Sequence, residues 1–395
     1  MTLLDNLPVI GADGPLAATK AFEADLRPFK ADLGIGVYKD EAGATPVMRA
    51  VKAAEARLVR DQRSKSYLGL DGDQQFADEV GKLAISRSDL LERSTFMQTP
   101  GGTGALRLAM ELIAARSPTR RIIVGVPGWV NYGPICREVG LDVVGVDTFD
   151  LASQRFESEG LLAAIETAKP GDAVLLQVSC HNPHGADPTP AQWHAIATAV
   201  AERGVLPVLD MAYQGFGSSL EDDARPIEWM LERSPEALIA VTCSKNFSLY
   251  RERTGALGIV GEQRSHVMGA RSLALSKARI CWSMPPDHGA AVVRTILQDD
   301  LLRTDWGLEL EWMRQRVNDM RAALSARLDA SRYDFSTHKG MFALLPLKRP
   351  SIERLRVEDG IYVSPDGRIN VAGLNGENAA RVLDALIREI GKSRD

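Results

Sequence analysis

Residues 173–210 read AVLLQVSCHNPHGADPTPAQWHAIATAVAERGVLPVLD, and this stretch decides the class of fold. It opens with a short apolar run, Ala173–Val178, and closes with another, Leu206–Asp210. Runs of this length that are apolar on both faces are typical of buried parallel strands. The segment between them, Pro190–Arg203, has a helical pattern. Strands that alternate with helices form right-handed crossover units, so the stretch predicts an α/β protein with a mainly parallel sheet.

The alternation continues on both sides of this stretch. Further apolar runs of strand length occur at Arg121–Val126, Leu238–Cys243 and Ala256–Val260. After about residue 300 apolar residues recur at spacings of four and three, which predicts one face of a long helix. That face consists of Trp306, Leu310, Met313, Val317, Met320, Leu324 and Leu328.

The remainder of the chain predicts a smaller α+β unit. A short strand is expected at Gly340–Leu345, a helix at Ser351–Glu358 and a final helix from about Glu377. The Asp366-Gly367 turn between IYVSP and RINVAG predicts a β-hairpin. We therefore expect a large domain over 47–305, and a small domain with an N-terminal arm built from 1–46 and 306–395.

Composition and charge exclude several classes of protein. The 395 residues include 47 Lys and Arg and 52 Asp and Glu, a formal net charge of −5, whereas nucleic-acid-binding proteins usually show a basic excess. No secretory signal is recognisable, and no apolar stretch is long enough to span a bilayer. The four cysteines form no CxxC pair and the histidines no HExxH motif, so we expect neither a disulfide framework nor a metal site. These features predict a cytoplasmic protein of enzyme size that binds neither nucleic acid nor membrane.

Five residues follow the carboxyl ends of the predicted strands, where parallel sheets bind ligands: Trp129, Asn182, Asp210, Tyr213 and Lys245. A lysine partly desolvated at a strand end has a lowered pKa, and its free amine can form an imine. The alternative is a solvated lysine at the start of a loop. Asp210 either holds a proton on a cationic ring nitrogen or caps a helix. The tyrosine and the tryptophan either face the same crevice or pack in the core.

A glycine-rich stretch, PGGTGA at 100–105, opens a helical run. Free N–H groups and the helix dipole suit such a start to a phosphate, although a glycine-rich helix start without a ligand is the alternative. Thr242, Ser244 and Arg253 offer further phosphate donors from a second segment. Arg368 is either a surface side chain or a bidentate clamp on a carboxylate.

Taken jointly, these residues specify a carbonyl-reactive lysine, a ring-nitrogen carboxylate, a stacking indole, a phosphate cup and a carboxylate clamp. That set matches pyridoxal 5′-phosphate, an electron-sink cofactor held through a lysine Schiff base with an aspartate at its ring nitrogen.

The chain resembles the class I aminotransferases, in particular the aspartate/aromatic amino acid branch of the fold-type I pyridoxal-phosphate enzymes. The resemblance runs from about Gly34 to Gly373 and implies a mainly parallel seven-stranded sheet. It is carried by LGIGVYKDEAG (33–43), SYLGLDG (66–72), QTPGGTGALR (98–107), CHNPHGADPT (180–189), LDMAYQGF (209–216), CSKNFSLYRER (243–253), MPPDHGA (284–290) and GRINVAG (367–373).

The resemblance also implies roles for individual residues. Lys245 is expected to form the Schiff base and carry the proton, and Asp210 to keep the pyridine nitrogen protonated. Tyr213 and Asn182 are expected to hydrogen-bond the 3′-oxygen, and Trp129 to stack on the ring. The phosphate site implied by the resemblance comprises Gly102, Thr103, Thr242, Ser244 and Arg253.

A substrate site and a homodimer with shared active sites are further implications of the resemblance. Tyr67 is expected to reach the phosphate bound by the neighbouring subunit. Arg279 is expected to cross the dimer interface and bind a side-chain carboxylate. The substrate site implied by the resemblance comprises Gly36, Trp129, Asn182, Arg279 and Arg368.

The sequence departs from the family pattern at several positions. His184 stands where the family often has a threonine, and Tyr132 and Gln177 stand where supporting histidines are frequent. The hydrogen bonding around the ring-nitrogen carboxylate is therefore expected to differ. Trp282 and Met284 give the side-chain pocket an apolar character, which favours aromatic substrates alongside dicarboxylates.

The sequence thus predicts ping-pong transamination between an aromatic or dicarboxylic L-amino acid and 2-oxoglutarate. An aspartate-preferring enzyme is an alternative, as are a lyase or decarboxylase on the same cofactor and a non-catalytic regulator of the same fold. Arg279 and Arg368 together favour the transaminase, because it must accept a dicarboxylic partner. A nicotinamide-dependent dehydrogenase would need a GxGxxG motif after the first strand, which the chain lacks.

Overall fold

The computed structural model describes residues 15–116, 120–328, 333 and 335–392, and the expected N-terminal arm lies mostly outside them. The strands are β1 (Ala31–Asp32), β2 (Ser94–Pro100), β3 (Arg121–Val126), β4 (Asp142–Asp147), β5 (Phe149–Asp150), β6 (Arg155–Phe156), β7 (Ala173–Gln177), β8 (Leu206–Met211), β9 (Ala237–Thr242), β10 (Thr254–Val260), β11 (Phe342–Leu344), β12 (Ile361–Tyr362) and β13 (Arg368–Asn370). The α-helices are α1 (Pro15–Ala24), α2 (Arg49–Asp61), α3 (Gln74–Ala84), α4 (Ser88–Leu91), α5 (Gly101–Arg116), α6 (Tyr132–Glu138), α7 (Glu159–Glu166), α8 (Pro190–Arg203), α9 (Leu220–Leu231), α10 (Arg264–Cys281), α11 (Asp287–Leu297), α12 (Asp300–Arg327), α13 (Arg349–Arg354) and α14 (Ala379–Lys392).

Seven strands form the central sheet, in the order β2-β10-β9-β8-β7-β3-β4. β10 runs antiparallel to both of its neighbours, and the other adjacent pairs are parallel. The expectation of a mainly parallel seven-stranded α/β sheet is confirmed. Because the carboxyl ends of β3, β7, β8 and β9 lie at one edge, the loops that follow them meet there.

Both faces of the sheet are buried, which explains why its strands are apolar on both sides. Along β8, Val208 belongs to the core shared with α5 and α10, whereas Leu209 belongs to the core shared with α8, α9 and α12. α8 occupies the residues expected from its pattern. Its start is fixed by reciprocal hydrogen bonds between Thr189 and Gln192, and it ends at Gly204, whose φ of +61° suits glycine.

The long helix after residue 300 is also confirmed. α12 buries Trp306, Leu310, Met313, Val317 and Leu324 on one face. Nε1 of Trp306 donates to the backbone oxygen of Asn246 at 2.7 Å, so this helix supports the loop that follows β9. No helix among the described residues combines the length and the apolar character that crossing a membrane requires.

The expected β-hairpin at Asp366-Gly367 is wrong. The turn itself forms, with the N–H of Gly367 donating to the oxygen of Ser364, but the strands on its two sides do not pair with each other. β12 pairs in parallel with β1, and β13 pairs antiparallel with β11. The two strands beside the turn thus pair with partners elsewhere in the chain, and the β1–β12 pair ties the two ends of the chain together.

Candidate active site

A cavity opens at the carboxyl edge of the central sheet. It collects side chains from the loops after β3, β7, β8 and β9 and from the start of α5. Ten of its lining residues are the sequence-predicted cofactor residues of a single chain: Gly102, Thr103, Trp129, Asn182, Asp210, Tyr213, Thr242, Ser244, Lys245 and Arg253. The fold therefore brings together ten positions that are spread over about 150 residues of sequence.

Lys245 lies in the loop after β9 and points into this cavity. Its Nζ lies 4.8 Å from the centre of the Tyr213 ring. Burial lowers the pKa of Lys245 to about 8, with the charge of Asp210 acting in the opposite direction. The loop is held in place by Phe247, whose ring stacks on Trp306 at 4.4 Å. The surroundings thus leave part of this amine uncharged near neutral pH, as an imine-forming lysine requires.

Asp210 is the penultimate residue of β8 and is 5% exposed. Its Oδ2 accepts a hydrogen bond of 2.6 Å from the phenol of Tyr132, rather than capping a helix. Burial raises the pKa of Asp210, while the bond from Tyr132 and the charge of Lys245 lower it. A buried carboxylate in this position can hold a proton on a cationic ligand atom.

Arg368, the first residue of β13, contacts Asn182, which lines the cavity. Its Nη1 donates to Oδ1 of Asn182 at 3.0 Å, and its Nη2 donates to the backbone oxygen of Gly34 at 2.8 Å. Nε is buried without a hydrogen-bond partner in the described part of the chain, where no carboxylate pairs with this guanidinium either. Nδ2 of Asn182 donates in turn to the hydroxyl of Tyr213 at 3.4 Å. A buried guanidinium without a counter-ion is suited to a ligand carboxylate.

The start of α5 and the segment after β9 form a polar cradle. Gly101 has a φ of +69°, and a Cβ atom there would lie 2.9 Å from Nη2 of Arg253. Oγ1 of Thr242 and Oγ of Ser244 lie 2.9 Å apart beside the same helix start. A glycine thus lets the guanidinium approach the free N–H groups of the helix. Cation, hydroxyls and helix dipole together suit a phosphate.

A family model for aminotransferase classes I and II matches residues 29–386. The chain belongs to this family. The tyrosine aminotransferase of Rhizobium meliloti is 49% identical over 377 residues, which cover 94% of this chain and 96% of that relative. The aspartate aminotransferase of Escherichia coli is 39% identical over 393 residues, which cover 98% of this chain and 99% of that relative. The structure of an aromatic amino acid aminotransferase with 3-indolebutyric acid is 41% identical, covers 98% of this chain and 100% of that one, and has a TM-score of 0.93.

The aminotransferase therefore depends on pyridoxal 5′-phosphate, as the sequence predicts. A structure of the aromatic-amino-acid aminotransferase from Burkholderia pseudomallei is covalently bound to pyridoxal phosphate; it is 35% identical with a TM-score of 0.94, covering 99% of this chain and 100% of that one. The residues around the cavity fit such a group. Lys245 has the kind of amine that an aldehyde requires, Asp210 a buried carboxylate that suits a cationic ring nitrogen, and the cradle at α5 donors that suit a phosphate.

Four of the expected site residues of the aminotransferase are not among the residues that line this cavity: Gly36, Tyr67, Arg279 and Arg368. Tyr67 is 90% exposed, and Arg279 is exposed near the end of α10. Gly36 lies beside Phe342, whose ring would be 3.1 Å from a Cβ at that glycine. Gly36 and Arg368 thus lie next to residues of the site, whereas Tyr67 and Arg279 are exposed side chains that do not line the cavity.

The sequence reasoning missed Phe342, an aromatic residue on β11. Its ring lies 4.5 Å from the guanidinium carbon of Arg368 and meets the ring of Tyr213 edge-on at 5.8 Å. No motif marks this phenylalanine. The only available signal was its place in a predicted strand, and the pairing with the strand of Arg368 depends on the whole fold.

Proposed function

We propose that this aminotransferase transfers the amino group of an aromatic or dicarboxylic L-amino acid to 2-oxoglutarate. The single observation that carries the proposal is the buried guanidinium of Arg368, which lacks a carboxylate partner in the described structure and donates to Asn182, a residue that lines the Lys245 cavity. The names of relatives, tyrosine, aromatic-amino-acid and aspartate aminotransferase, support both classes of donor. Phe342 beside Arg368 supports an apolar side chain at the substrate.

In the proposed mechanism, pyridoxal phosphate supplies an imine-forming aldehyde and a ring that accepts electrons from the substrate α-carbon. Arg368 binds and orients the α-carboxylate. Lys245 would accept the proton from the substrate α-carbon and deliver it to C4′, the cofactor carbon that carried the aldehyde. Asp210 would hold a proton at the ring nitrogen. Asn182 and Tyr213 would hold in place the side of the site between the cofactor ring and the substrate carboxylate, because Asn182 binds both Arg368 and Tyr213. A panel of Asp, Phe, Tyr and Trp with 2-oxoglutarate tests the assignment, and release of CO₂ or ammonia instead of a 2-oxo acid would contradict it.

The rate at which the cofactor-free chain captures pyridoxal phosphate should rise about tenfold per pH unit below pH 8 and then level off. The reason is that only the free amine attacks the aldehyde, and the pKa of Lys245 is lowered to about 8. The growth of visible absorbance after mixing measures this rate, and Nα-acetyllysine, with its ordinary pKa near ~10.4, corrects for changes in the cofactor itself. A rate that keeps rising to pH 10 would show that Lys245 is solvated.

Replacing Arg368 by lysine should lower kcat/KM for the amino acid and for the 2-oxo acid by roughly 10- to 100-fold. An ammonium group cannot reproduce the two-pronged geometry of the guanidinium, and hydrogen bonds to charged groups contribute about 1.5–3 kcal/mol. Steady-state kinetics with both substrates measure the change. Arg27→Lys is the matched control, because that arginine binds Asp25 with Nε at 2.8 Å, away from the cavity. An Arg368→Lys enzyme with unchanged KM values would remove the α-carboxylate assignment.

We further propose a homodimer in which Tyr67 and Arg279 of each subunit serve the neighbour's site. Their exposure and their separation from the Lys245 cavity support this proposal. In a dimer of this kind the side-chain pocket beside Arg279 includes Trp282 and the thioether of Met284, whose Sδ accepts the backbone N–H of Leu68 at 3.2 Å.

A hybrid dimer tests the sharing of sites. Lys245→Ala and Arg279→Ala chains carrying different tags are co-expressed, and the mixed dimer is purified. If sites are shared, one site of the hybrid contains both native residues, so its activity on aspartate should recover to about half of the wild-type value. Both parent homodimers should remain far below that value. A hybrid no more active than the Arg279→Ala homodimer would show that each chain completes its own site.

The expected division of the chain into domains also remains a proposal: a large cofactor-binding domain over 47–305, and a small one from 1–46 and 306–395. It is supported by the β1–β12 pairing and by Arg316, whose guanidinium donates to the backbone oxygens of Lys39 and Leu374. Amide hydrogen exchange tests the division. If residues 31–38 exchange together with the C-terminal strands, the division is supported; if they exchange together with the central sheet, it is contradicted.

We propose a cytoplasmic location as well. The chain has four free cysteines: Cys136, Cys180 and Cys243 are buried, and Cys281 is exposed. Free thiols persist in a reducing compartment. Fractionation of the native host with an antibody tests the location.

A further inference from the structure

The carboxylate of Asp210 accepts a hydrogen bond from one side chain in the described part of the protein, that of Tyr132. The two oxygens lie 2.6 Å apart, and both residues are 5% exposed. Tyr132 is the first residue of α6, and its ring meets that of Trp129 edge-on at 5.5 Å. Packing against this indole fixes the direction in which the phenol points. The hydroxyl is thereby aimed at the carboxylate.

The titratable groups around Asp210 come from four elements. They are Tyr132 on α6, His181 in the loop after β7, Tyr213 after β8 and Lys245 after β9. Lys245 and His181, when charged, favour the ionised form of Asp210. Tyr132 acts on the carboxylate through its hydrogen bond, whereas the histidine and the lysine act through charge.

We propose that Tyr132 is a positioning residue that keeps Asp210 ionised and oriented toward the cofactor ring nitrogen, through a donor that remains uncharged over the working pH range. The inference rests on the proposed role of Asp210 at that nitrogen. It adds a property that the carboxylate alone does not have. The hydrogen bond that Asp210 accepts from α6 does not change with pH, so its effect on the interaction between Asp210 and the ring nitrogen is also constant.

This property follows from the chemistry of a buried phenol. Burial and the neighbouring Asp210 charge raise the pKa of Tyr132 well above its ordinary value, so its proton stays in place at every pH that the protein tolerates. A histidine in the same place would change charge near pH ~6.5. Its hydrogen bond to Asp210 would then become an ion pair on the acid side.

Loss of the hydrogen bond has a defined direction. Without the donor the carboxylate becomes more basic, since a hydrogen bond to the charged form favours that form. With pyridoxal phosphate bound, the proton that Asp210 shares with the ring nitrogen would then shift toward the carboxylate. A less positive ring would withdraw less electron density from the nitrogen of Lys245, so the pKa of that nitrogen would rise.

The test compares Tyr132→Phe and Tyr132→His holoenzymes with wild type, and its readout is spectroscopic. In Tyr132→Phe the pH midpoint of the bound cofactor's visible absorbance should rise by at least about half a unit. The ¹⁵N signal of ring-labelled cofactor should move toward the neutral pyridine position. Tyr132→His should show a second inflection between about pH 5.5 and 7.5. Tyr362→Phe is the matched control, because it removes a phenol–carboxylate bond of 2.8 Å to Asp25, outside the cavity, and should leave both signals unchanged.

A Tyr132→Phe midpoint and ¹⁵N signal equal to those of wild type would overturn the proposal. If that variant fails to bind cofactor, Tyr132→His decides: a second inflection supports the proposal, and one wild-type inflection overturns it. Failure of this inference is distinguishable from failure of the proposed function. In the first case transamination persists and still requires Asp210, whereas in the second the wild-type enzyme fails the donor panel.

Discussion

Replacing Lys245 by alanine is expected to reduce kcat by roughly four to six orders of magnitude, with substrate binding largely retained. In the proposed mechanism the amine of Lys245 forms the imine and also carries the proton at the substrate α-carbon. Alanine supplies neither function. Single-turnover measurement of 2-oxo acid release gives the rate, and the absorbance spectrum shows whether cofactor is still bound but no longer attached.

Two controls separate chemistry from folding. Lys245→Arg keeps a positive charge but cannot form an imine, so it should be about as inactive as the alanine variant. Lys82→Ala removes an exposed lysine that pairs with Glu79 on α3 and should leave activity unchanged. Substantial turnover by a correctly folded Lys245→Ala enzyme would mean that another group performs the proton transfer.

The second large effect is expected at Asp210. Asp210→Asn should lower kcat by roughly 10²- to 10⁴-fold, because a neutral amide cannot hold a proton on the ring nitrogen. The substitution keeps the shape of the side chain, and its amide oxygen can still accept the hydrogen bond from the Tyr132 hydroxyl. Stopped-flow measurement of the half-reaction with each donor reports the loss directly.

Asp210→Glu and Asp223→Asn serve as comparisons for this prediction. The glutamate variant restores the charge at a shifted position and should recover part of the rate. Asp223 is also a buried carboxylate, with Oδ2 accepting the N–H groups of Gly215 and Gly217 at 2.8 Å, but it lies outside the cavity. Its loss should lower stability far more than kcat. Equal kcat losses at the two aspartates would indicate a general packing effect instead of chemistry at the ring nitrogen.

Five of the seven strands of the sheet could be predicted because they are buried runs of apolar residues. β2 was not predicted, although it is largely buried, because its sequence STFMQTP mixes polar and apolar residues. Runs of branched apolar residues such as Ala173–Val178 and Arg121–Val126 favour an extended conformation. The observed strands begin and end within one residue of the two predicted ranges. The strand at Asp142–Asp147 was missed, because as an edge strand it is largely exposed and its sequence is less apolar. The β12 and β13 pairings were wrong for a different reason. A turn motif reports local geometry, whereas strand partners are chosen in competition with every other edge in the protein.

For the site, residue types and their positions along the chain were enough to name ten of the residues that line the cavity, and to match them to one cofactor. Parallel strands all end at one edge, so this part of the geometry follows from the order of elements along the chain. What the tertiary structure alone decided was which atoms meet. Tyr132 and Asp210 are 78 positions apart, and Phe342 and Arg368 lie on two strands that pair with each other although no turn joins them directly. Such contacts depend on packing over the whole molecule, because a shift of one residue in a strand or a quarter turn of a helix would point these side chains elsewhere.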